Sequence, residues 1–138
     1  MANRQITIAT TIDAPVARVW QAYTTPADIT KWNFASNDWC CPSAEVDLRA
    51  GGAYKARMEA NDGSFGFDFE GIYEEVEPNK ALTLAMCDGR RARTTFEPVG
   101  GATKVTIVFD AEDQNSVEMQ RDGWQAILDR FGRFAAAK

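Results

Sequence analysis

Alternating apolar and polar residues near the start of the chain predict a strand followed by two helices. Residues 5–12 alternate and are rich in β-branched side chains, which is typical of a half-buried strand. Apolar residues at positions 16, 19, 20 and 23 then recur with the spacing of one helix face. Thr25, as a capping hydroxyl, and Pro26, as the first helical residue, predict a second helix that ends by about residue 33.

The middle of the chain predicts short strands separated by turns. Residues 33–44 show no clear period and predict an ordered loop. The six predicted strands cover residues 45–49, 53–60, 65–77, 81–87, 91–97 and 103–109. Glycine, asparagine and proline lie between them, and the short distance from one turn to the next favours an antiparallel meander.

A long amphipathic helix is predicted at the end of the chain, over residues 116–135. Asn115 is the expected N-cap, with Glu118 returning the bond as in a capping box. The apolar arc of this helix is predicted to comprise Val117, Met119, Gly123, Trp124, Ile127, Leu128, Phe131, Phe134 and Ala135. Only this helix is long enough to cover the sheet, so the pattern predicts an α+β fold.

Composition limits the chemistry that this chain can perform. Its 138 residues predict a single domain spanning residues 1–138. The chain contains no histidine, which excludes histidine-based catalysis and histidine metal ligands, and we expect neither a metal nor a cofactor. Lys and Arg number 15 and Asp and Glu 20, a net charge of −5 that argues against a nucleic-acid partner.

Cysteine content and hydropathy bear on the compartment. The three cysteines are an odd number, and the adjacent Cys40 and Cys41 form no CxxC pair, so a reducing compartment is expected. We find neither the apolar core of a signal peptide nor an apolar run of about 20 residues, the length needed to span a bilayer. These observations predict a cytoplasmic protein that does not insert into membranes.

Aromatic residues provide the strongest indication of function. Phe65, Phe67 and Phe69 alternate along one face of the longest predicted strand, in register with Gly71 and Tyr73. We expect this face to meet the apolar arc of the last helix, either as a filled core or as the wall of a binding site.

The loop after the second helix carries further aromatic residues. Trp32, Phe34 and Trp39 are expected to close one end of the space between helix and sheet, as lining or as anchors of the loop. Gln120 is the polar residue within the apolar arc, so its amide is expected to bind either a ligand or the backbone. Gly123 predicts a close approach of the helix to the sheet, since glycine inside a helix costs about 1 kcal/mol.

Charged residues and cysteines are assigned mainly structural roles. Asp47 and Arg49 lie two residues apart on a predicted strand, so they favour an ion pair over a ligand clamp. Asp68 and Glu70 point away from the phenylalanines and predict a solvated face rather than acid–base chemistry. Without a histidine to activate it, Cys40 is expected to pack in the loop.

Several segments together resemble a known family. They are residues 12–20 (IDAPVARVW), 32–35 (WNFA), 38–39 (DW), 47–52 (DLRAGG), 62–73 (DGSFGFDFEGIY) and 118–129 (EMQRDGWQAILD). Their combination resembles the bacterial Aha-type SRPBCC proteins, homologues of the heat-shock-chaperone ATPase activator, within the START/Bet v 1-like superfamily. The resemblance implies a helix-grip fold, in which a curved antiparallel sheet wraps a long C-terminal helix around a hydrophobic cavity.

Three functions follow as hypotheses. The leading one is the binding of a small hydrophobic ligand, lipid-like or aromatic, for which Gln120, Arg49 and Tyr73 are candidate orienting contacts. A chaperone-interaction module and a metal-independent cyclase or dehydratase are the alternatives, and the sequence favours binding over catalysis. Partners beyond the ligand are left open, including a chaperone and a second copy of the chain in a homodimer.

The predicted ligand-contacting residues are Trp32, Phe34, Trp39, Tyr54, Phe65, Phe67, Phe69, Tyr73, Gln120, Trp124, Leu128 and Phe131.

Overall fold

A computed structural model describes residues 4–137. Its elements in chain order are β1 (Gln5–Ile12), α1 (Val16–Thr24), α2 (Pro26–Trp32), β2 (Trp39–Val46), β3 (Ala53–Ala60), β4 (Gly66–Glu77), β5 (Ala81–Met86), β6 (Arg91–Val99), β7 (Ala102–Asp110) and α3 (Val117–Ala137). This order confirms the predicted α+β architecture, with two short helices after the first strand and one long helix at the end.

The seven strands form one antiparallel sheet with the order β1-β7-β6-β5-β4-β3-β2. Strands β2 to β7 each pair with their neighbour in the chain, so the predicted meander is confirmed. β1 pairs along β7, where Ile6 lies opposite Phe109. Alternate residues of each strand point inward, and the inward faces form one curled surface.

Helix α3 packs across the inner face of this sheet. Leu128, Phe131 and Ala135 are buried along its length, as the apolar arc predicts. The Trp124 ring stacks on Phe109 of β7, with ring centroids 3.9 Å apart and planes 8° from parallel. The core therefore lies between α3, the two short helices and the concave face of the sheet.

Two expectations about α3 are wrong. Met119 is 62% exposed, because it lies in the first turn of the helix, away from the buried stretch. A Cβ at Gly123 would meet no atom within 4 Å, so this glycine makes no close approach to the sheet. Gly132 lies closer to a strand, since a Cβ there would be 3.4 Å from the Ile12 side chain of β1.

Both predicted helix caps differ from the structure in detail. Ser116 Oγ accepts a hydrogen bond of 3.1 Å from the Met119 backbone N–H, so Ser116 caps α3 in place of Asn115. The Asn115 amide instead donates to the Glu112 carboxylate at 3.1 Å. Thr25 occupies the N-cap position of α2, but its hydroxyl makes no capping hydrogen bond.

The segment after α2 is the largest error in the predicted elements. The sequence predicts a loop over residues 39–44, but these residues form most of β2, which ends at Val46 rather than at residue 49. The pairing of β2 with β3 shifts register between Cys40 and Ser43, across Pro42. A bulge disrupts the alternation of apolar and polar residues, and proline is tolerated because β2 is an edge strand.

Candidate ligand-binding cavity

A cavity of about 310 Å³ lies between the sheet and the helices. Eight of the residues predicted from the sequence line it: Trp32, Tyr54, Phe67, Phe69, Tyr73, Trp124, Leu128 and Phe131. The structure thus brings the aromatic face of β4 together with the apolar arc of α3. Its volume is at the lower end of the range for small-molecule sites, about 300–1,000 Å³.

Nine further lining residues were not identified from the sequence as ligand contacts. They are Tyr23, Asn33, Met58, Leu82, Leu84, Ala92, Thr94, Ile107 and Ile127. Most of them occupy inward positions of strands, where extending the alternation from β4 to its neighbours would have found them. Asn33 and Thr94 are polar residues within this lining, and no periodicity in the sequence distinguishes them.

Three aromatic rings form the wall of the cavity where the helices meet. Tyr23 of α1 stacks on Trp32 of α2 with centroids 5.3 Å apart. Phe131 of α3 packs edge-on against both rings, at 5.1 Å from Tyr23 and 4.8 Å from Trp32. The Trp32 indole N–H also donates to the Ala22 carbonyl at 3.0 Å, which anchors the ring. These contacts hold all three helices together at one side of the cavity.

Besides the indole N–H groups of Trp32 and Trp124, the lining carries hydroxyl groups and one side-chain amide. The Tyr23 hydroxyl and Thr94 Oγ1 share a hydrogen bond of 3.2 Å across the space between α1 and β6. Asn33 Nδ2 donates to the Tyr54 hydroxyl at 3.4 Å and lies 3.7 Å from the Met58 sulfur. Burial raises the pKa of Tyr23, Tyr54 and Tyr73 above the ordinary tyrosine value. All three therefore remain neutral phenols at neutral pH.

Exposure decreases along β4 from the turn into the core. The exposed fraction is 59% at Phe65, 41% at Phe67 and 3% at Tyr73. Phe67 and Phe69 line the cavity, whereas Phe65 lies outside the lining. Phe65 precedes the first residue of β4, at the solvent-exposed end of the hairpin with β3, which explains its position. The alternation alone predicts that Phe65 lines the cavity, and the structure shows that it does not.

Trp39 also lies outside the cavity lining. Its ring contacts Phe65 and Phe67, with centroids 6.0 and 6.1 Å apart, because β2 places it beside the end of the β3–β4 hairpin. The three rings form a partly exposed group, which we call the outer aromatic cluster (Trp39, Phe65, Phe67). Phe67 belongs to both the cluster and the cavity lining.

Phe34 anchors the loop between α2 and β2 rather than lining the cavity. The Arg130 guanidinium of α3 lies over its ring, 4.7 Å from the centroid. Arg130 Nη2 also donates to Asn37 Oδ1 at 3.0 Å. Arg130 therefore links α3 to this loop, and the predicted contact of Phe34 with a ligand is not supported by its position.

Gln120 binds the backbone, which is one of the two alternatives the sequence leaves open. Its Nε2 donates to the carbonyls of Glu112 and Asn115, at 3.1 and 2.9 Å. Its Oε1 accepts a hydrogen bond of 2.8 Å from the Glu112 N–H. The buried amide thus stabilises the turn that leads into α3 and lies outside the cavity lining.

Charged residues singled out from the sequence lie outside the cavity lining. Arg49 Nε lies 2.9 Å from the Asp47 carboxylate, but both side chains are exposed and follow β2 instead of lying on it. Arg49 is therefore not placed to orient a ligand in the cavity. Asp68 lies on the outer face of β4 and pairs with Arg57 at 3.5 Å, so its predicted solvated position is confirmed.

All three cysteines are free thiols, and Cys41 is the buried one. Burial raises the pKa of Cys41, which favours its protonated, less nucleophilic form. Within residues 4–137, no three cysteine, aspartate or glutamate side chains are grouped so as to hold a metal ion. No helix in the described part of the chain is both long and apolar enough to cross a membrane.

Comparisons with known proteins agree with this geometry. Residues 13–136 match the model of the family described as Activator of Hsp90 ATPase homolog 1-like protein. A solved structure of an AHSA1-like protein from Aeromonas hydrophila is 40% identical with a TM-score of 0.91, and the alignment covers 97% of this chain and 93% of that one. A protein from Cytophaga hutchinsonii is likewise 40% identical, with a TM-score of 0.84 and coverage of 96% and 92%.

More distant structures share the fold alone. A protein from Chromobacterium violaceum is 24% identical, with a TM-score of 0.84 and coverage of 96% of this chain and 98% of that one. A comparison with curated proteins finds no significant match.

Proposed function

Because this chain belongs to the family of Activator of Hsp90 ATPase homolog 1-like proteins, we propose that it binds a small hydrophobic ligand, lipid-like or aromatic, in the cavity between the sheet and α3. The observation that carries this proposal is the aromatic cavity itself. Native interiors hold few voids larger than a water molecule, so a space of about 310 Å³ lined by aromatic and aliphatic side chains is unusual for a packed core. Apolar burial would supply the affinity.

An uncharged fluorophore provides the direct test. N-phenyl-1-naphthylamine is expected to gain fluorescence on mixing with the native protein, because the cavity removes it from water. The gain should saturate at one fluorophore per chain. A titration without saturable fluorescence would overturn the proposal.

Filling the cavity should abolish this uptake. Ala92 lies on the inner face of β6, is 7% exposed and lines the cavity, so Ala92→Leu places three more carbons in that space. We expect the affinity for the fluorophore to fall at least about tenfold, since the added side chain occupies the volume of the ligand. Leu128→Phe should also lower the affinity for the fluorophore, because Leu128 lines the cavity from α3.

The matched control for this filling variant is Ala136→Leu. Ala136 is exposed near the end of α3 and outside the cavity lining, so the same substitution should leave uptake unchanged. Circular dichroism establishes that each variant is folded before titration. Unchanged uptake by a folded Ala92→Leu protein would place the fluorophore elsewhere and contradict the proposed site.

A chaperone contact is the second candidate function, favoured by the outer aromatic cluster. Phe65 and Phe67 are 59% and 41% exposed and adjoin Trp39, and grouped apolar side chains at a surface favour protein contacts. Titration into the ATPase assay of an Hsp90-type chaperone should change the rate, and Phe65→Ser should weaken that change. Val99→Ser, at a separate exposed apolar position, is the control. An unchanged rate would remove this candidate.

A further inference from the structure

The cavity lining carries no formal charge. Among residues 4–137, the side chains that line it include no Asp, Glu, Lys or Arg. The charged residues of the hairpin formed by β3 and β4 point away from the cavity. Arg57, for example, pairs with Glu59 at 2.8 Å and with Asp68 at 3.5 Å on the outer face of the sheet. A ligand anion in the cavity would therefore lose its water without gaining a cation.

Tyr73 is the buried polar side chain that the protein leaves unpaired in this cavity. It is 3% exposed and lines the cavity from β4. Its hydroxyl has no hydrogen-bond partner among residues 4–137, whereas Tyr23 pairs with Thr94 and Tyr54 with Asn33. The Tyr73 oxygen is not among the buried side-chain atoms that lack a partner, so water reaches it in the ligand-free protein. A ligand oxygen that replaces this water in an apolar cavity gains the net advantage of one neutral hydrogen bond.

From these two observations we propose that the ligand is uncharged and presents a hydroxyl or carbonyl oxygen to the Tyr73 hydroxyl. This inference rests on the proposed function and assigns the chemical class of the ligand. Tyr73 is then a specificity-determining residue, since its phenol donates to or accepts from the ligand oxygen. A ligand that must bury an ionised carboxylate in the cavity is disfavoured, because a carboxylate is expensive to bury without a positive partner.

Three probes of one ring system test the inference with the whole chain. Naphthalene, 2-naphthol and 2-naphthoate are each titrated against the bound N-phenyl-1-naphthylamine at pH 7. We expect 2-naphthol to bind about three- to tenfold more tightly than naphthalene, the advantage of one neutral hydrogen bond. 2-Naphthoate should bind at least about a hundredfold more weakly than 2-naphthol.

The variant Tyr73→Phe separates a specificity role from a structural one. Removing the hydroxyl should abolish the advantage of 2-naphthol and leave the affinity for naphthalene unchanged. The melting temperature of the ligand-free variant should also stay unchanged, because the hydroxyl has no partner within the described chain. If the hydroxyl held the fold together, the melting temperature would fall and both affinities would change.

The outcomes distinguish failure of this inference from failure of the proposed function. Binding of 2-naphthoate as tight as that of 2-naphthol, or an undiminished 2-naphthol advantage in Tyr73→Phe, would overturn the inference alone. Failure of all three probes to displace a bound fluorophore would also overturn it. If the fluorophore itself is not taken up, the proposed function fails and the inference with it.

Discussion

Replacing Phe131 with alanine is expected to lower the free energy of unfolding by about 4 kcal/mol. Phe131 is fully buried on α3 and packs edge-on against Tyr23 and Trp32, so its ring joins all three helices. Truncation removes these contacts and enlarges a cavity that is already present, which leaves the neighbouring rings little support. The expected loss is a large share of a typical domain stability of about 5–15 kcal/mol.

Urea unfolding followed by far-ultraviolet circular dichroism measures this loss. Met119→Ala is the matched control, because Met119 lies on the same helix and is 62% exposed. It should change the free energy of unfolding by no more than about 0.5 kcal/mol. A loss below about 1.5 kcal/mol for Phe131→Ala would contradict the close packing of α3 against α1 and α2.

Adding a methyl group at Gly71 should destabilise the protein by about 2–3 kcal/mol. A Cβ at this buried position of β4 would lie 2.7 Å from the Ala85 carbonyl oxygen and 2.9 Å from Leu84 Cγ on the adjacent strand β5. The carbonyl belongs to the backbone and cannot move aside without disturbing the sheet. Glycine at this position thus permits the close approach of β5 beside Tyr73.

Gly123→Ala is the matched control and should have the opposite sign. The methyl group would meet no atom within 4 Å on α3, and alanine is the better helix former by about 1 kcal/mol. Thermal unfolding of both variants gives the comparison. Equal stability of the two variants would contradict the tight packing at Gly71.

The sequence predicts most of the fold because its signals are local. The strand at residues 5–12 and the strand at residues 53–60 agree with the structure at both ends, since alternation and turn residues mark them. The segment at residues 39–44 does not, because the register shift between Cys40 and Ser43 removes the alternation on which such a prediction depends.

The candidate site is predicted less completely. The aromatic residues of β4 and α3 have a clear periodicity, and Phe67, Phe69 and Trp124 accordingly line the cavity. Gln120 has the same helical spacing, yet its amide turns to the backbone before α3, an orientation that depends on the preceding turn. Whether any of the lining residues contacts a ligand stays a prediction.

The sequence by itself determined the order of the elements, the inward face of β4 and most of the apolar arc of α3, because the periods of strands and helices are read over neighbouring residues. Only the tertiary structure decided which inward residues are covered. Phe65 and Tyr73 share the same alternation, but one is 59% exposed and the other 3%. Burial depends on how strongly the sheet curls and on how much of it α3 covers, and a local sequence pattern encodes neither.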